Sequence, residues 1–367
     1  MQKKLIALAL ASLAGSAFAQ SNVTIYGVAD ATYDFVGARQ STAATKIAND
    51  GRVSANSSYL GFKGAEDLGN GLKAVFQFET GITNDASNSA AYQGGVNASP
   101  SNTMFGGIRD TYVGVGGGFG TVVAGNLTAA ARALGAKVDV NSGATGVGYQ
   151  GALYGRLGGA RTGVDDRTGN AIAYVSPNFA GFSGMVAWGA GSEQRDTVAR
   201  TDNVYSLGLN YENGPAYVGY AYTQVAGKAL GGADTKAVSN RVGGYFKFGT
   251  AQVGALYDRT DADTNTSNNR RNVWLLNGKV GVGAGNVIAG YGKAGKVDGL
   301  GNTAAKHYFV GYEHSLSKRT ILKAVYAEVK NDSAATYNFY NAATGEVQNL
   351  VAGQDPRSIS LGIRHSF

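Results

Sequence analysis

The last ten residues of the chain, 358–367, read SISLGIRHSF. Alternate positions in this segment hold two kinds of side chain. The first set is mostly apolar and the second is small or charged: Ile359, Leu361, Ile363 and Phe367 against Ser358, Ser360, Gly362 and Arg364. Because successive side chains of a β-strand point to opposite faces, this pattern predicts a strand with one apolar and one polar face.

The same alternation recurs along the chain, at residues 72–79, 204–211 and 306–316. In 72–79 the apolar set contains Leu72, Phe76 and Phe78, and the polar set contains Lys73 and Glu79. In 306–316 we group Tyr308, Val310 and Tyr312 on one face and Lys306, His307 and Glu313 on the other. Aromatic side chains on one face and charges on the other are typical of a sheet that separates lipid from water.

The composition narrows the class of protein. The 367 residues include 56 Gly, four Pro and no Cys, which excludes disulfides, thiolate metal sites and cysteine nucleophiles. After the N-terminal segment, no apolar run approaches the roughly 18 residues that a membrane-spanning helix requires. In lipid, every backbone polar group must be hydrogen-bonded within the protein, so an exported β-protein can span a membrane only as a closed barrel.

The N-terminus predicts export. Residues 1–19 read MQKKLIALALASLAGSAFA, with Lys3 and Lys4 before a short apolar core and a small-x-small site at Ala17-Phe18-Ala19. This is the pattern of a cleaved signal peptide. We therefore expect two regions, a signal peptide at 1–19 and a single barrel domain at 20–367.

The spacing of turns predicts the size of the barrel. Very short connections, such as 213–215 and 249–250, alternate with longer polar ones, such as 81–108, 226–237, 261–270 and 331–356. Outer-membrane barrels have this asymmetry between short periplasmic turns and long external loops. The count gives about sixteen strands, which leaves room for an aqueous channel. The predicted fold class is all-β, a transmembrane antiparallel β-barrel.

The longest connection, 127–168, follows the fifth predicted strand. It begins with a short helical stretch before Gly135 and carries several charged residues. Connections of this length are usually functional or disordered. Two interpretations stay open from the residues alone: a solvated surface loop, or a loop that folds into the barrel and narrows it. We favour the second.

Several stretches together resemble the general porins of betaproteobacteria, the trimeric sixteen-stranded type. The resemblance is carried by residues 23–30, 60–79, 109–125, 174–182, 312–320 and the C-terminal Gly-x-x-His-x-Phe at 362–367. The most specific stretch is LGFKGAEDLGNGLKAVFQFE at 60–79. The resemblance implies a homotrimer, a loop after the fifth strand that folds inward, and a terminal Phe367 read as a signal by the barrel-assembly machinery.

Two departures from the family pattern concern the pore wall. Many members have arginine where this chain has Tyr59 and Asn126. The family's preference for anions therefore cannot be transferred directly and depends on the remaining charges. The formal net charge is +7, and it falls to +5 once Lys3 and Lys4 are removed with the signal peptide.

Strand phase, loop position and the family resemblance predict the residues that line the pore. Strand phase places Lys63, Lys73, Glu79, Lys247, Lys279 and Arg364 on the lumen face, and the resemblance adds Tyr59 and Asn126 to the pore wall. For the constriction loop we expect Arg132, Lys137, Asp139 and Arg156. The resemblance also implies an electric field across the constriction, from an acidic loop to a basic wall, which Asp139 opposite Lys63 and Lys73 would provide here.

These patterns predict a general diffusion porin of the cell outer membrane that gives passive, anion-preferring passage to small hydrophilic solutes and ions. No catalytic, metal-binding or cofactor-binding residues are predicted, and the protein is not expected to be an enzyme. The expected partners are two further copies of the chain, outer-membrane lipid and lipopolysaccharide, the barrel-assembly machinery and small anionic solutes, with no nucleic acid. The alternative is a barrel that acts mainly as a surface adhesin or receptor.

Overall fold

A computed structural model describes residues 22–40, 47, 50–82, 105–190, 203–228, 234–264, 267–340 and 346–367. The predicted signal peptide, residues 1–19, lies outside this described part. One antiparallel sheet dominates the structure, and its strand segments are β1 (Asn22–Arg39), β2 (Asp50–Ser54), β3 (Tyr59–Gly69), β4 (Leu72–Ile82), β5 (Phe105–Ile108), β6 (Thr111–Gly117), β7 (Gly120–Thr128), β10 (Arg167–Val175), β11 (Phe182–Gly189), β12 (Asn203–Asn213), β13 (Ala216–Lys228), β14 (Asp234–Phe248), β15 (Ala251–Thr264), β16 (Ser267–Val282), β17 (Gly285–Ala294), β18 (Ala305–Ser315), β19 (Thr320–Asn331) and β20 (Asp355–Ser366). Two further short strands, β8 (Arg156–Leu157) and β9 (Ala160–Arg161), form a separate hairpin.

The sheet closes on itself. Each strand pairs with its sequence neighbour, and β1 pairs with both β3 and β20. Eighteen segments take part, but β2 with β3 and β5 with β6 each form one interrupted strand, so the barrel has sixteen strands. The predicted sixteen-stranded antiparallel barrel is therefore confirmed.

The closure involves the last residue. The backbone N–H of Phe367 donates to the carbonyl of Gly27 at 3.1 Å, and the N–H of Gly27 donates to the carbonyl of Phe367 at 3.2 Å. The Phe367 ring covers Gly27, where an added Cβ would lie 2.5 Å from the ring. A glycine at this position therefore leaves room for the terminal aromatic ring beside the seam between β1 and β20.

The outer face carries the predicted apolar side chains. Ile359, Leu361 and Ile363 are 50%, 48% and 45% exposed, and the aromatic Phe78 and Trp274 are also exposed. Their strand neighbours on the other face are largely buried or polar. The exposed apolar band is the surface that a lipid bilayer would cover.

The grouping of Lys306 was wrong. Lys306 is exposed, and the adjacent Ala305 and His307 are buried on the lumen side. Side chains alternate along the strand, so Lys306 shares the outer face with Tyr308 and Val310.

Two loops are shorter than predicted. In place of the loop predicted at 226–237, β13 continues to Lys228 and β14 begins at Asp234, and these two residues pair. In place of the loop predicted at 261–270, β15 continues to Thr264 and β16 begins at Ser267, and these two residues also pair.

Residues 129–166, between β7 and β10, lie inside the barrel. This segment, the constriction loop, begins with helix α1 (Ala130–Val138), which contacts β12, β13, β14 and β15. Its apolar residues pack against lumen-facing side chains: Leu134, Val138, Leu153 and Tyr154 lie in one buried cluster with Leu256, Val273, Leu275, Ile288, Phe309 and Val325. Within the described residues, no helix is long and apolar enough to span a membrane.

The first turn of α1 is held by the barrel wall. Ala129 provides no side-chain cap, and the N–H groups of Ala130 and Ala131 donate instead to the hydroxyls of Ser206 at 2.7 Å and Thr223 at 3.3 Å. Both hydroxyls belong to lumen-facing positions of β12 and β13. The helix start is therefore satisfied by residues more than 70 positions away in the sequence.

A buried cluster of charges holds the rest of the loop. Arg241 on β14 contacts Asp258 on β15 at 3.0 Å and Asp165 of the loop at 2.6 Å, and it also donates to the Ala131 carbonyl. Arg271 on β16 contacts Asp258 at 3.3 Å and donates to the Leu153 carbonyl at 2.9 Å. We call Arg241, Arg271, Asp258 and Asp165 the buried clamp. Its two positive and two negative charges balance, which is a condition for burying them at all.

Replacing Arg241 by Met tests the clamp. The variant leaves Asp165 and Asp258 buried with fewer partners, and we expect a loss of about 3–5 kcal/mol in the free energy of unfolding. We also expect flickering single-channel currents because the loop is no longer fixed. Denaturant unfolding of the refolded barrel and single-channel recording measure the two effects.

The matched control is Arg259→Met. Arg259 is 41% exposed and pairs with Asp261 at 3.0 Å, so its loss should cost about 1 kcal/mol or less. If the two variants have the same free energy of unfolding and neither shows flickering single-channel currents, the buried clamp does not hold the loop.

Candidate functional site: the pore constriction

The predicted loop residues lie within the constriction loop but have different surroundings. Arg132 is 18% exposed in its side chain, donates to the Asp165 carbonyl at 3.1 Å and contacts the Tyr340 hydroxyl. Arg156 is 5% exposed and donates to the Tyr340 carbonyl at 2.6 Å. Desolvation by burial lowers the pKa of Arg156 to about 10, so it remains a cation at neutral pH. The Arg132 side chain therefore has access to water. Arg156 is buried, and its main role is to hold the loop by hydrogen bonds to backbone carbonyls.

Lys137 lies at the end of α1 and is half-exposed. Its ammonium donates to Glu212 of β12 at 2.9 Å and stands 5.2 Å from the centre of the Tyr217 ring. Glu212 also accepts a hydrogen bond from Tyr245 at 2.8 Å. Lys137 is thus neutralised by the wall and tethers the end of the helix.

Asp139 does not oppose the wall lysines as expected. One of its carboxylate oxygens accepts from the Asn141 backbone at 2.8 Å and from the Asn141 side chain at 2.9 Å, and the other accepts from the Gln150 backbone at 3.1 Å. Desolvation raises the pKa of Asp139 to about 6, and the charge of Glu313 adds to this effect. Asp139 therefore organises the loop, and its charge weakens as the pH falls through about 6.

The last long connection also enters the barrel mouth. Tyr337 and Phe339 are fully buried, and the Tyr340 ring lies 5.0 Å from the Tyr149 ring of the constriction loop. The Thr336 N–H donates to the Gly158 carbonyl at 2.9 Å. The described part of this connection is therefore packed onto the constriction loop and not displayed above the barrel, which the sequence did not predict.

On the opposite side of the lumen, four of the predicted wall residues are brought together. Glu79 accepts from the Tyr26 hydroxyl at 2.7 Å and pairs with Arg109 at 3.3 Å. The Arg109 guanidinium lies 4.5 Å from the centre of the Tyr59 ring, and the Asn126 side chain donates to the Arg109 carbonyl at 2.7 Å. Three predicted residues, Tyr59, Glu79 and Asn126, thus surround an arginine that was not predicted.

Lys63 is the fourth member of this wall cluster, because its ammonium stands 4.9 Å from the centre of the Tyr26 ring. Lys73 lies elsewhere. It sits at the second position of β4, opposite Asp67 and Gly116 and next to the short turn. Lys63 therefore adjoins the pair formed by Tyr26 and Glu79, whereas Lys73 lies towards the barrel end.

Arg109 and Arg167 are the wall residues that sequence reasoning missed. Arg109 and Asp110 occupy the interruption between β5 and β6, where alternation along a strand cannot predict which face a side chain points to. Arg167 pairs with Asp110 at 3.3 Å, and Asp110 also accepts from the backbone and hydroxyl of Thr128 at 2.8 and 2.7 Å. The only signal in the sequence is a charge pair placed at the break of a strand.

Partly exposed charges lie on the constriction loop and on the wall opposite it. Among the described residues, this group of loop and wall charges contains five cations, Lys63, Arg109, Arg132, Arg161 and Arg167, and three carboxylates, Glu79, Asp110 and Asp166. The group therefore has a surplus of two positive charges. Among the described residues, no group of three His, Cys, Asp or Glu side chains is arranged to hold a metal ion.

Comparison with known proteins identifies a family and several relatives for this chain. The model of the Gram-negative porin family matches residues 6–364. Outer membrane porin protein 32 of Delftia acidovorans is 32% identical and aligned over 100% of both chains. Major outer membrane protein P.IB of Neisseria gonorrhoeae is 34% identical over 60% of this chain and 56% of its own length.

The solved structures agree with the sequence comparison. The anion-selective porin from Comamonas acidovorans superposes with a TM-score of 0.77 at 27% identity, covering 95% of this chain and 100% of that one. The family model, the relative aligned over its whole length and the closed barrel of sixteen strands all indicate the same family. The chain therefore belongs to the Gram-negative porins, the β-barrel channel proteins of the outer membrane.

Proposed function

We propose that this outer-membrane diffusion porin prefers anions, and that Arg109 and Arg167 on the wall are the main residues responsible. The observation that carries the proposal is the positive surplus of the group of loop and wall charges, with the Arg109 and Arg167 side chains 20% and 19% exposed. Charges inside a narrow pore with low-dielectric walls focus the field on passing ions. A surplus of two charges is therefore enough to bias entry.

The departures at Tyr59 and Asn126 are compatible with this proposal. Both side chains contact Arg109, one through the face of its ring and the other through the Arg109 carbonyl. Tyr59 and Asn126 thus help to fix a guanidinium between the two positions where many relatives have their own arginine. The anion selectivity printed for the Comamonas acidovorans porin supports the same preference.

We further propose how the chain is exported and assembled and what it transports. The chain is exported by a cleaved signal peptide at residues 1–19, associates as a homotrimer, contacts outer-membrane lipid and lipopolysaccharide, and is assembled through recognition of Phe367 by the barrel-assembly machinery. Arg132 of the loop and Lys63 and Lys73 of the wall assist anion passage, and transport is passive, without a catalytic step. The solutes are small hydrophilic molecules, preferentially anionic.

Neutralising both wall arginines tests the proposal. In Arg109→Gln/Arg167→Gln the group of loop and wall charges loses its surplus of two, so the chloride-to-potassium permeability ratio should fall by roughly two- to fivefold. The measurement is the reversal potential of single channels in a planar bilayer under a potassium chloride gradient. The wild-type barrel should give a reversal potential that favours chloride.

The control is Lys318→Gln/Arg319→Gln in the exposed turn between β18 and β19, which removes two positive charges far from the constriction. It should keep the wild-type selectivity. If Arg109→Gln/Arg167→Gln keeps the wild-type selectivity, Arg109 and Arg167 do not determine the anion preference. A stably inserted barrel with no conductance would reject the diffusion channel itself and favour the adhesin or receptor function.

A further inference from the structure

A cavity lies between helix α1 of the constriction loop and the barrel wall. Its volume is about 280 Å³, and its lining includes two residues of the helix, Leu134 and Lys137, and four on the lumen face of β11 and β12, namely Ser183, Met185, Asn210 and Glu212. This volume is many times that of one water molecule and approaches the roughly 300 Å³ at which small-molecule sites begin. We call it the helix-side cavity.

The helix-side cavity lies at the end of the barrel that carries the short connections. Glu212 is the residue before the last of β12, and residues 214–215 alone join this strand to β13. Asn178, which also lines the cavity, belongs to the connection 176–181 between β10 and β11. Short connections of outer-membrane barrels face the periplasm, so a solute reaches this cavity on the periplasmic side of the constriction loop.

The charges in the cavity balance. Among the described residues of its lining, Lys137 and Glu212 are the charged ones, and the Lys137 ammonium donates to Glu212 at 2.9 Å. Both side chains are 44% exposed, so the pair is in contact with water. An ion gains little energy from such a balanced pair, which favours a neutral ligand.

Three polar side chains of the lining retain unused hydrogen-bonding groups. The Asn178 Oδ1 accepts from the Gly181 N–H at 2.9 Å, and the Asn210 Oδ1 accepts from the Tyr217 hydroxyl at 2.7 Å. Each amide is thereby oriented with its Nδ2 left to donate. In the part of the chain that the structure describes, neither Nδ2 group nor the Ser183 hydroxyl has a protein partner. Such neutral groups match the hydroxyl groups of a ligand, which both donate and accept.

Apolar side chains complete the lining. Leu134 of α1 is buried, and Met185 of β11 packs against the same apolar cluster while remaining partly exposed. The Glu212 carboxylate adds acceptors, because each oxygen accepts a single protein hydrogen bond, one from Tyr245 and one from Lys137, and can accept another. This combination suits a ring with hydroxyl groups at its edge and C–H groups on its face.

We propose that the helix-side cavity binds a neutral monosaccharide. The hydroxyl groups of the sugar bond to the three unused polar groups and to Glu212, and its C–H face packs on Leu134 and Met185. The volume, the balanced charge and the unused neutral donors all match that class of solute. The inference rests on the proposed channel function for the route by which the sugar arrives, but it assigns a binding site for an uncharged solute, which the anion preference does not require.

Saturation-transfer NMR with D-glucose tests the proposal on the refolded barrel in lauryldimethylamine oxide, a detergent without a sugar headgroup. In Ser183→Ala/Asn210→Ala two hydrogen-bonding groups are lost, so we expect the affinity for glucose to fall roughly fivefold to twentyfold. Triethylene glycol, a neutral molecule of similar size with fewer hydroxyl groups, should bind the wild type roughly tenfold more weakly than glucose. The conductance and ion selectivity of the variant in potassium chloride should match the wild type, because neither side chain is charged.

The matched control is Asn286→Ala/Ser315→Ala. It removes the same two types of side chain from the lumen face of β17 and β18, at the same end of the barrel and outside the lining of the helix-side cavity. It should bind glucose like the wild type. A second variant, Ser183→Leu, fills the cavity and leaves Asn210 in place, and it should abolish glucose binding.

Four results would overturn the proposal: no glucose binding by the wild type, equal affinities of the wild type and Ser183→Ala/Asn210→Ala, equal losses in that variant and the control, or unchanged binding in Ser183→Leu. Equal binding of triethylene glycol and glucose would also overturn it, because the cavity would then not recognise hydroxyl groups. Conductance in potassium chloride is a separate measurement. Its absence from the wild type would reject the channel function, whereas the NMR result would still decide whether the cavity binds a sugar.

Discussion

Backbone hydrogen bonding in lipid limits this chain to a sheet without edges, and the other features of the structure follow from that limit. Sixteen strands satisfy one another around the barrel, and β1 completes the ring by pairing with β3 on one side and β20 on the other. Closure then fixes which side chains face lipid and which face the lumen. A glycine beside the terminal Phe367 leaves room for the ring at this seam.

A closed ring of sixteen strands encloses more space than its own side chains fill, so a second constraint determines the pore. The constriction loop occupies one side of the lumen, where β12 to β19 present an apolar patch and the buried clamp. The other side, formed by β4 to β10, keeps Arg109, Asp110 and Arg167 partly exposed. In the proposed function, solutes pass between a loop bound to one wall and the arginine-bearing wall opposite.

The sequence predicted the parts of the structure that depend on local periodicity. The alternation at 358–367 and at 72–79 assigned the outer face correctly, and the turn spacing gave sixteen strands. It could not predict pairs such as Arg241 with Asp165, which are 76 residues apart and meet only because the loop turns inward. For the same reason Asp139 was expected at the pore surface, although its partners Asn141 and Gln150 lie within the loop. Arg109 escaped prediction because it sits at a break between two strand segments, where phase is undefined.

The position of the constriction loop can be tested by a disulfide, because the chain contains no cysteine of its own. The Ala130 N–H lies 2.7 Å from the Ser206 hydroxyl, and the next residue, Leu207, is exposed on the outer face. Oxidised Ala130→Cys/Ser206→Cys should cross-link in the refolded barrel and shift its electrophoretic mobility without loss of conductance, whereas Ala130→Cys/Leu207→Cys should not cross-link. A cross-link in the second pair alone, or in neither, would contradict a loop held inside the lumen.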